Sequence, residues 1–241
     1  MTNGPVLEGE IVKRTLQFFW LVDCSGSMEG QKIASLNRAI QDVIPQIQKA
    51  VSAHPEVQIM MRAIKFSNDA SWHVGPNPIP LEKFVWPEVR ANGVTATAQA
   101  INLLANELDI EKMNRRGYPP VCILLSDGFC TDPESEYEKA IQNLNSLPWG
   151  KRSVKLVIAI GKDREYDEEQ LLKFVSHQEI GVLKADTPEK LIAYIQWASI
   201  TASIGASVGK SKAGDPANDQ HNVALASPPQ VQVASSSTDV F

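Results

Sequence analysis

Along Leu16-Gln17-Phe18-Phe19-Trp20-Leu21-Val22 all positions but one are apolar, and the run ends abruptly at Asp23-Cys24-Ser25-Gly26-Ser27. A continuous apolar run of this length, rich in aromatic residues, predicts a strand buried on both faces. The same pattern recurs at Val57 to Phe66, Val121 to Ser126 and Ser153 to Ile160, with shorter runs at Ala70 to Val74 and Gly181 to Lys184. Between these runs the apolar period changes. Ile33, Leu36, Ile40, Val43, Ile44 and Ile47 recur at helical spacing, which predicts a helix over Lys32 to Ala53, with a kink at Pro45. Further helices are predicted over Thr97 to Leu108, Glu134 to Leu144 and Asp167 to about Ser176. The last runs from Thr187-Pro188, with Thr as N-cap and Pro at the first helical position, to Ser203.

Strands that alternate with helices predict an α/β fold: a doubly wound, mainly parallel six-stranded sheet with helices on both faces. One strand differs. Ala70 to Val74 is followed by Gly75-Pro76-Asn77-Pro78-Ile79-Pro80, and three prolines in five positions cannot sit in a central ladder, so this strand is expected to be short and at an edge. In such sheets ligands bind outside the carboxyl ends of the strands, where Asp23 and Asp127 both fall. The domain is expected to span residues 15–204. Residues 1–14 read as a leader. Residues 205–241, rich in Ala, Ser, Pro, Asp and Gln without a sustained period, read as a disordered tail.

Composition narrows the function classes. The chain has 241 residues, 43% hydrophobic and 21% charged, with a net charge of −5, which argues against a binder that relies on neutralising nucleic-acid phosphates. Three cysteines (Cys24, Cys122 and Cys130) form no C-x-x-C pair. With no apolar stretch that reads as a secretory signal or a membrane span, reduced thiols and a cytoplasmic location are expected.

The loop after the first strand carries the chemistry. Asp23-x-Ser25-x-Ser27 sets one carboxylate and two hydroxyls at alternate positions, three hard oxygen donors of the kind a small divalent cation prefers. Asn92-Gly93-Val94-Thr95 puts another hydroxyl on a glycine-containing loop. Cys122-Ile123-Leu124-Leu125-Ser126-Asp127-Gly128 puts a second carboxylate at the end of a buried strand.

Asp23-x-Ser25-x-Ser27, Thr95 and Asp127-Gly128 together resemble the von Willebrand factor type A (vWA) domain, whose fold is Rossmann-like and whose equivalent elements form a metal-ion-dependent adhesion site (MIDAS). The resemblance spans roughly residues 16–203. It implies hydroxyl ligands at Ser25, Ser27 and Thr95, carboxylates at Asp23 and Asp127 that bind directly or through water, and Mg²⁺ or Mn²⁺ as the cofactor. One coordination position is left for an acidic group of a protein partner. Val94 departs from the pattern, standing where the family often has a second glycine. Within the family the chain is similar to the bacterial TerY-like group of tellurite resistance operons, on Leu21-Val22-Asp23-Cys24-Ser25-Gly26-Ser27-Met28 and Tyr194-Ile195-Gln196-Trp197-Ala198-Ser199. That similarity implies a non-enzymatic adaptor associated with a protein kinase and a PP2C-type phosphatase.

Other signals are weaker. A metal-dependent phosphate-ester hydrolase with Asp23 as nucleophile is the alternative, but such chemistry commonly needs a second acid two residues on, where Ser25 stands. Gly205-Ala206-Ser207-Val208-Gly209 matches G-x-S-x-G, yet trails a helix instead of joining a strand to one. His54, His73, His177 and His221 lack paired spacing and are expected at the surface or in loops. Cys24 and Cys130 fall in loops at the same end of the sheet, where a redox pair is the less favoured reading. Trp72, Trp86 and Trp149 either form an exposed contact surface or cover the sheet edge, and Ser235-Ser236-Ser237-Thr238 offers hydroxyls for phosphorylation.

Overall fold

Phe18, Trp20 and Val22 alternate with Phe19 and Leu21 along β1 (Arg14–Asp23), so each set enters a different core. This strand is the middle of the fold in the computed structural model, which describes residues 13–127, 129–208, 223–231 and 241. The chain continues through α1 (Gln31–Val51), β2 (Val57–Phe66), β3 (Ala70–Pro80), α2 (Thr97–Glu107) and β4 (Val121–Ser126). It then forms α3 (Glu134–Ser146), α4 (Pro148–Arg152), β5 (Val154–Ile160), α5 (Glu168–Leu172), β6 (Val182–Ala185) and α6 (Pro188–Val208).

The six strands form one sheet in the order β3-β2-β1-β4-β5-β6. All pairs are parallel except β2–β3. Strand order reverses between β1 and β4, and that is the switch point at which doubly wound sheets bind ligands. The core under one face takes side chains from α1 and α6, and the core under the other takes them from α2, α3 and α5. A helix layer on each face is what strands without a polar side require. Asp23 and Ser126, at the carboxyl ends of β1 and β4, are therefore carried to the same spot on the sheet's rim.

Several elements differ from expectation for identifiable reasons. β3 does not stop at Val74 but runs antiparallel through the prolines to Pro80, with register shifts near Ala63. An edge strand needs donors on one side only, so Pro76, Pro78 and Pro80 are tolerated there. The short edge strand is instead β6, at the other side of the sheet. α5 ends at Leu172, well before Ser176, and α4 forms where a loop was expected, with Pro148 at its start. α1 runs through Pro45.

α6 continues to Val208, past the expected boundary at residue 204. Val223 is buried, and Val223 and Leu225 pack on the core beneath α6. The expected leader over 1–12, the tail over 209–222 and 232–240, and the phosphorylation candidates at 235–238 lie outside the described residues. The expected Thr187 cap forms, its Oγ1 accepting from Lys190 N at 3.3 Å, and Asp167 caps α5, its Oδ1 accepting from Gln170 N at 2.9 Å.

The tryptophans do not make an exposed surface. Trp86 and Trp149 are buried, and half-buried Trp72 packs on the second core. Trp86 Nε1 donates to Asn37 Oδ1 at 2.9 Å, which is how an indole N–H is satisfied inside a fold. His177 is not at the surface either: it is buried, with Nδ1 2.8 Å from Ser176 Oγ and Nε2 2.8 Å from the Val223 carbonyl.

Candidate metal centre

Two loops at the switch point and one beside them bring the candidate ligands toward one another. β1 ends at Asp23, whose side chain is wholly buried, and its Oδ1 accepts from Ser25 N at 2.8 Å, which turns the chain sharply off the strand. That turn aims Ser25 and Ser27 along the rim, their hydroxyl oxygens 3.0 Å apart. Ser27 Oγ then donates to Asp127 Oδ1 at 2.7 Å. Asp23, Ser25, Ser27 and Asp127 are thus joined in one hydrogen-bonded chain across two loops that lie far apart in sequence.

Thr95 is joined to this chain through backbone bonds. Gly26 N donates to Gly93 O at 2.9 Å and Asn92 N to Cys24 O at 2.7 Å, pinning the Thr95 loop against the Asp23–Ser27 loop. Thr95 in turn exchanges bonds with Thr131 beyond Asp127: Thr131 N donates to Thr95 O at 2.9 Å, and Thr95 N to Thr131 Oγ1 at 3.1 Å. Gly93 has φ +83°, and a Cβ there would fall on the Asn68 amide, so the close approach of this loop requires glycine.

The electrostatics are unusual for a surface loop. Burial pushes the Asp23 carboxyl up to about 6, against hydrogen bonds from Ser126 and Ser25 that favour the ion, with Asp127 nearby pushing in the same direction as burial. Ser126 Oγ donates to Asp23 Oδ2 at 2.6 Å. Two carboxylates close enough to repel, both held out of water, make a place where a cation is favourable. Lys32 supplies one from within the chain, its Nζ 2.7 Å from Asp127 Oδ2 and 3.4 Å from Glu165 Oε2.

The donor set suits a small divalent cation. Two carboxylates and three neutral hydroxyls are hard oxygen donors, as Mg²⁺ or Mn²⁺ prefers. Among the described residues no group of three or more His, Cys, Asp and Glu side chains could hold a metal. Such a grouping does not count hydroxyls, which make up most of this donor set.

Sequence reasoning missed Lys32, Ser126 and Glu165. A signal existed for the lysine, since a cation in the first turn of α1 opposes the helix dipole unless an anion sits beside it. Ser126 could have been found from register: Val22 pairs with Leu125, so the next residues, Asp23 and Ser126, face each other.

The thiols do not contribute. Cys24 is buried and its thiol is pushed up to about 12 by burial, with Asp23 adding to the effect, while Cys130 Sγ donates to Asp132 Oδ2 at 3.2 Å. Gly205, Ala206 and Ser207 lie inside α6, away from any strand-to-helix turn.

The family profile of the von Willebrand factor type A domain matches residues 19–195. No curated protein matches the chain. Among solved structures, a von Willebrand factor type A protein from Catenulispora acidiphila superposes with a TM-score of 0.58 at 16% identity, covering 80% of this chain and 43% of that one. The ArnB paralog VWA2 from Sulfolobus acidocaldarius superposes with a TM-score of 0.54 at 19% identity, covering 79% and 44%. Proximal thread matrix protein 1 from the mussel byssus, with a zinc-occupied MIDAS motif, gives 0.57 at 17% identity, covering 80% and 47%. The chain therefore spans less than half the length of each, and at these identities the likeness concerns the fold.

Proposed function

The chain belongs to the von Willebrand factor type A family, and from that premise we propose that it is a metal-dependent protein-binding module that takes an acidic residue of a partner at the Asp23–Asp127 rim. The observation that carries this reading is the hydrogen-bonded chain from Asp23 through Ser25 and Ser27 to Asp127. Asp23 and Asp127 would supply the negative charge of the site; Ser25, Ser27 and Thr95 would supply neutral oxygens. A bound Mg²⁺ or Mn²⁺ supplies Lewis acidity toward an incoming anionic oxygen. Because only two of the five protein donors are charged, a divalent ion held here is neutralised without being over-compensated, and a further carboxylate remains attractive.

The same residues disfavour hydrolysis of a phosphate ester by attack of Asp23. A nucleophile needs a free, approachable oxygen, whereas Asp23 is wholly buried with one oxygen engaged by Ser25 N and the other by Ser126 Oγ. The reading is of an adaptor without chemistry of its own.

More finely, we place the chain with the TerY-like group and read it as a cytoplasmic adaptor for a protein kinase and a PP2C-type phosphatase. The support is sequence resemblance in the Asp23 loop and in α6. Among the described residues no helix is long and apolar enough to cross a membrane.

Two measurements test the proposal. Calorimetry of Mg²⁺ binding should give heat with the native chain and none with Asp23→Ala, and Ser27→Ala should weaken binding less because it removes no charge. Capture of a purified candidate kinase or phosphatase should be abolished by chelator. Equal, negligible heats from native chain and Asp23→Ala would sink the metal reading, and chelator-insensitive capture would leave a fold that binds partners by other means.

A further inference from the structure

We propose that Val94 and Phe129 form the apolar half of the docking surface around the metal centre, and that the partner segment taken there is a protein strand or loop that presents Asp or Glu beside a bulky aliphatic or aromatic side chain. This deepens the function proposed above and rests on it.

Among the described residues four large hydrophobic side chains are well exposed: Val85, Val94, Ile110 and Phe129. Two of these four lie on the loops that carry candidate ligands. Val94 precedes Thr95 and is 50% exposed; Phe129 lies two residues beyond Asp127 and is 54% exposed. Their neighbours turn the other way, Thr95 and Asp127 being 4% and 1% exposed. The two loops are stitched together by the paired bonds between Thr95 and Thr131, so both apolar side chains belong to the rim of one site.

Charge decides the other half of the partner. Asp23 and Asp127 balance a divalent ion, and the ammonium of Lys32, 2.7 Å from Asp127, is offset by Glu165 at 3.4 Å, so no surplus negative charge remains to repel an anion from the open position of the metal. An anion is what this half accepts. An inorganic anion such as phosphate would satisfy the charge and leave Val94 and Phe129 in water. A peptide carboxylate with an apolar neighbour satisfies both halves. Covering the two side chains also removes water from around the carboxylate contact, which strengthens it. Burial of apolar surface of this size tightens binding by about tenfold for the pair.

The test uses the full chain, Mg²⁺ and a displayed library of random linear peptides, with binders released by chelator. The expected binders carry Asp or Glu next to Leu, Ile, Val or Phe. They should lose about tenfold in affinity for a chain carrying both Val94→Ser and Phe129→Ser, while calorimetric Mg²⁺ binding stays unchanged. Unchanged Mg²⁺ binding also reports that the double variant is folded. Chelator-released binders with polar neighbours, or binders indifferent to the double variant, would overturn this inference and leave the metal-dependent function standing. An absence of chelator-released binders would overturn that function, and this inference with it.

Discussion

Lys32 Nζ sits 2.7 Å from Asp127 Oδ2, and Ser27 Oγ donates to the other oxygen of the same carboxylate at 2.7 Å. Asp127 is thus engaged on both sides by its own chain. An ammonium and a divalent ion beside one carboxylate repel each other, so Lys32 would moderate the affinity for a metal ion taken up there. Glu165, 3.4 Å away, offers the ammonium a second anion.

Lys32→Met removes that repulsion. Its Mg²⁺ affinity should rise by about fivefold, on the order of 1 kcal/mol at the dielectric of a half-wet rim. Isothermal calorimetry on the native chain and the variant reads this directly. Weaker binding in the variant would instead show that Lys32 holds Asp127 in the orientation the metal needs.

Gly93→Ala should damage the site from its backbone. Residue 93 has φ +83°, and an added methyl would meet the Asn68 amide, which also accepts from Val94 N at 3.1 Å. Left-handed backbone plus a steric clash costs about 1–3 kcal/mol. Chemical denaturation should show the loss, and Mg²⁺ affinity should fall with it because the Thr95 loop shifts. Native stability in Gly93→Ala would mean that the loop relaxes without consequence and that its glycine is dispensable.

A third prediction concerns the scaffold under the edge strand. Arg62 is buried in β2, its Nη1 2.6 Å from Glu107 Oε2, and its guanidinium lies over the Phe19 ring at 4.4 Å. Removing one partner leaves a buried charge unpaired, so Glu107→Ala should lose about 3 kcal/mol in denaturant unfolding. Arg62→Met, alone or with Glu107→Met, should lose less, because Glu107 is the more exposed partner and keeps Lys112 Nζ at 2.9 Å, so no buried charge is stranded. A larger loss from Arg62→Met than from Glu107→Ala would assign the stabilisation to ring packing over charge pairing.

Much of this architecture was readable from hydrophobic period alone, because a parallel sheet buried on both faces writes itself as near-continuous apolar runs such as Leu16 to Val22 and Val121 to Leu125. The candidate ligands were legible because each follows the end of a strand or opens a helix. Position along the chain could not reveal what depends on partners distant in sequence. Lys32 and Glu165 meet only when the loops after β1 and β5 lie on one rim. Trp86 reads as either an exposed contact or a cover for the sheet edge until Asn37 of α1 turns out to hold its N–H. The prolines after Val74 argued for a short edge strand; the strand is at the edge, and because an edge needs donors on one side only it runs on through the prolines to Pro80.

Asp23 makes the metal-free fold sensitive to pH in a direction opposite to that of a salt-bridged carboxylate. In the unfolded chain its carboxyl titrates near 3.8, and burial in the fold raises it to about 6. The folded state therefore holds the proton more tightly. Asp23's contribution to stability is fully present below the unfolded value and is lost as pH rises through about 6. By pH 7 the buried ion costs the metal-free chain about 2–3 kcal/mol. Asp23→Asn keeps the acceptor for Ser25 N and removes the charge. In chelator at about pH 7 it should be more stable than the native chain by about 2 kcal/mol, and the difference should shrink toward pH 4. Adding Mg²⁺ should reverse the order, since an ion that binds only the native fold stabilises it in proportion to occupancy. Denaturant titrations across this range, with chelator and with Mg²⁺, read both effects. A less stable Asp23→Asn in chelator near pH 7 would mean that the carboxylate's bonds to Ser25 and Ser126 outweigh its burial, and the site would then be pre-formed without the metal.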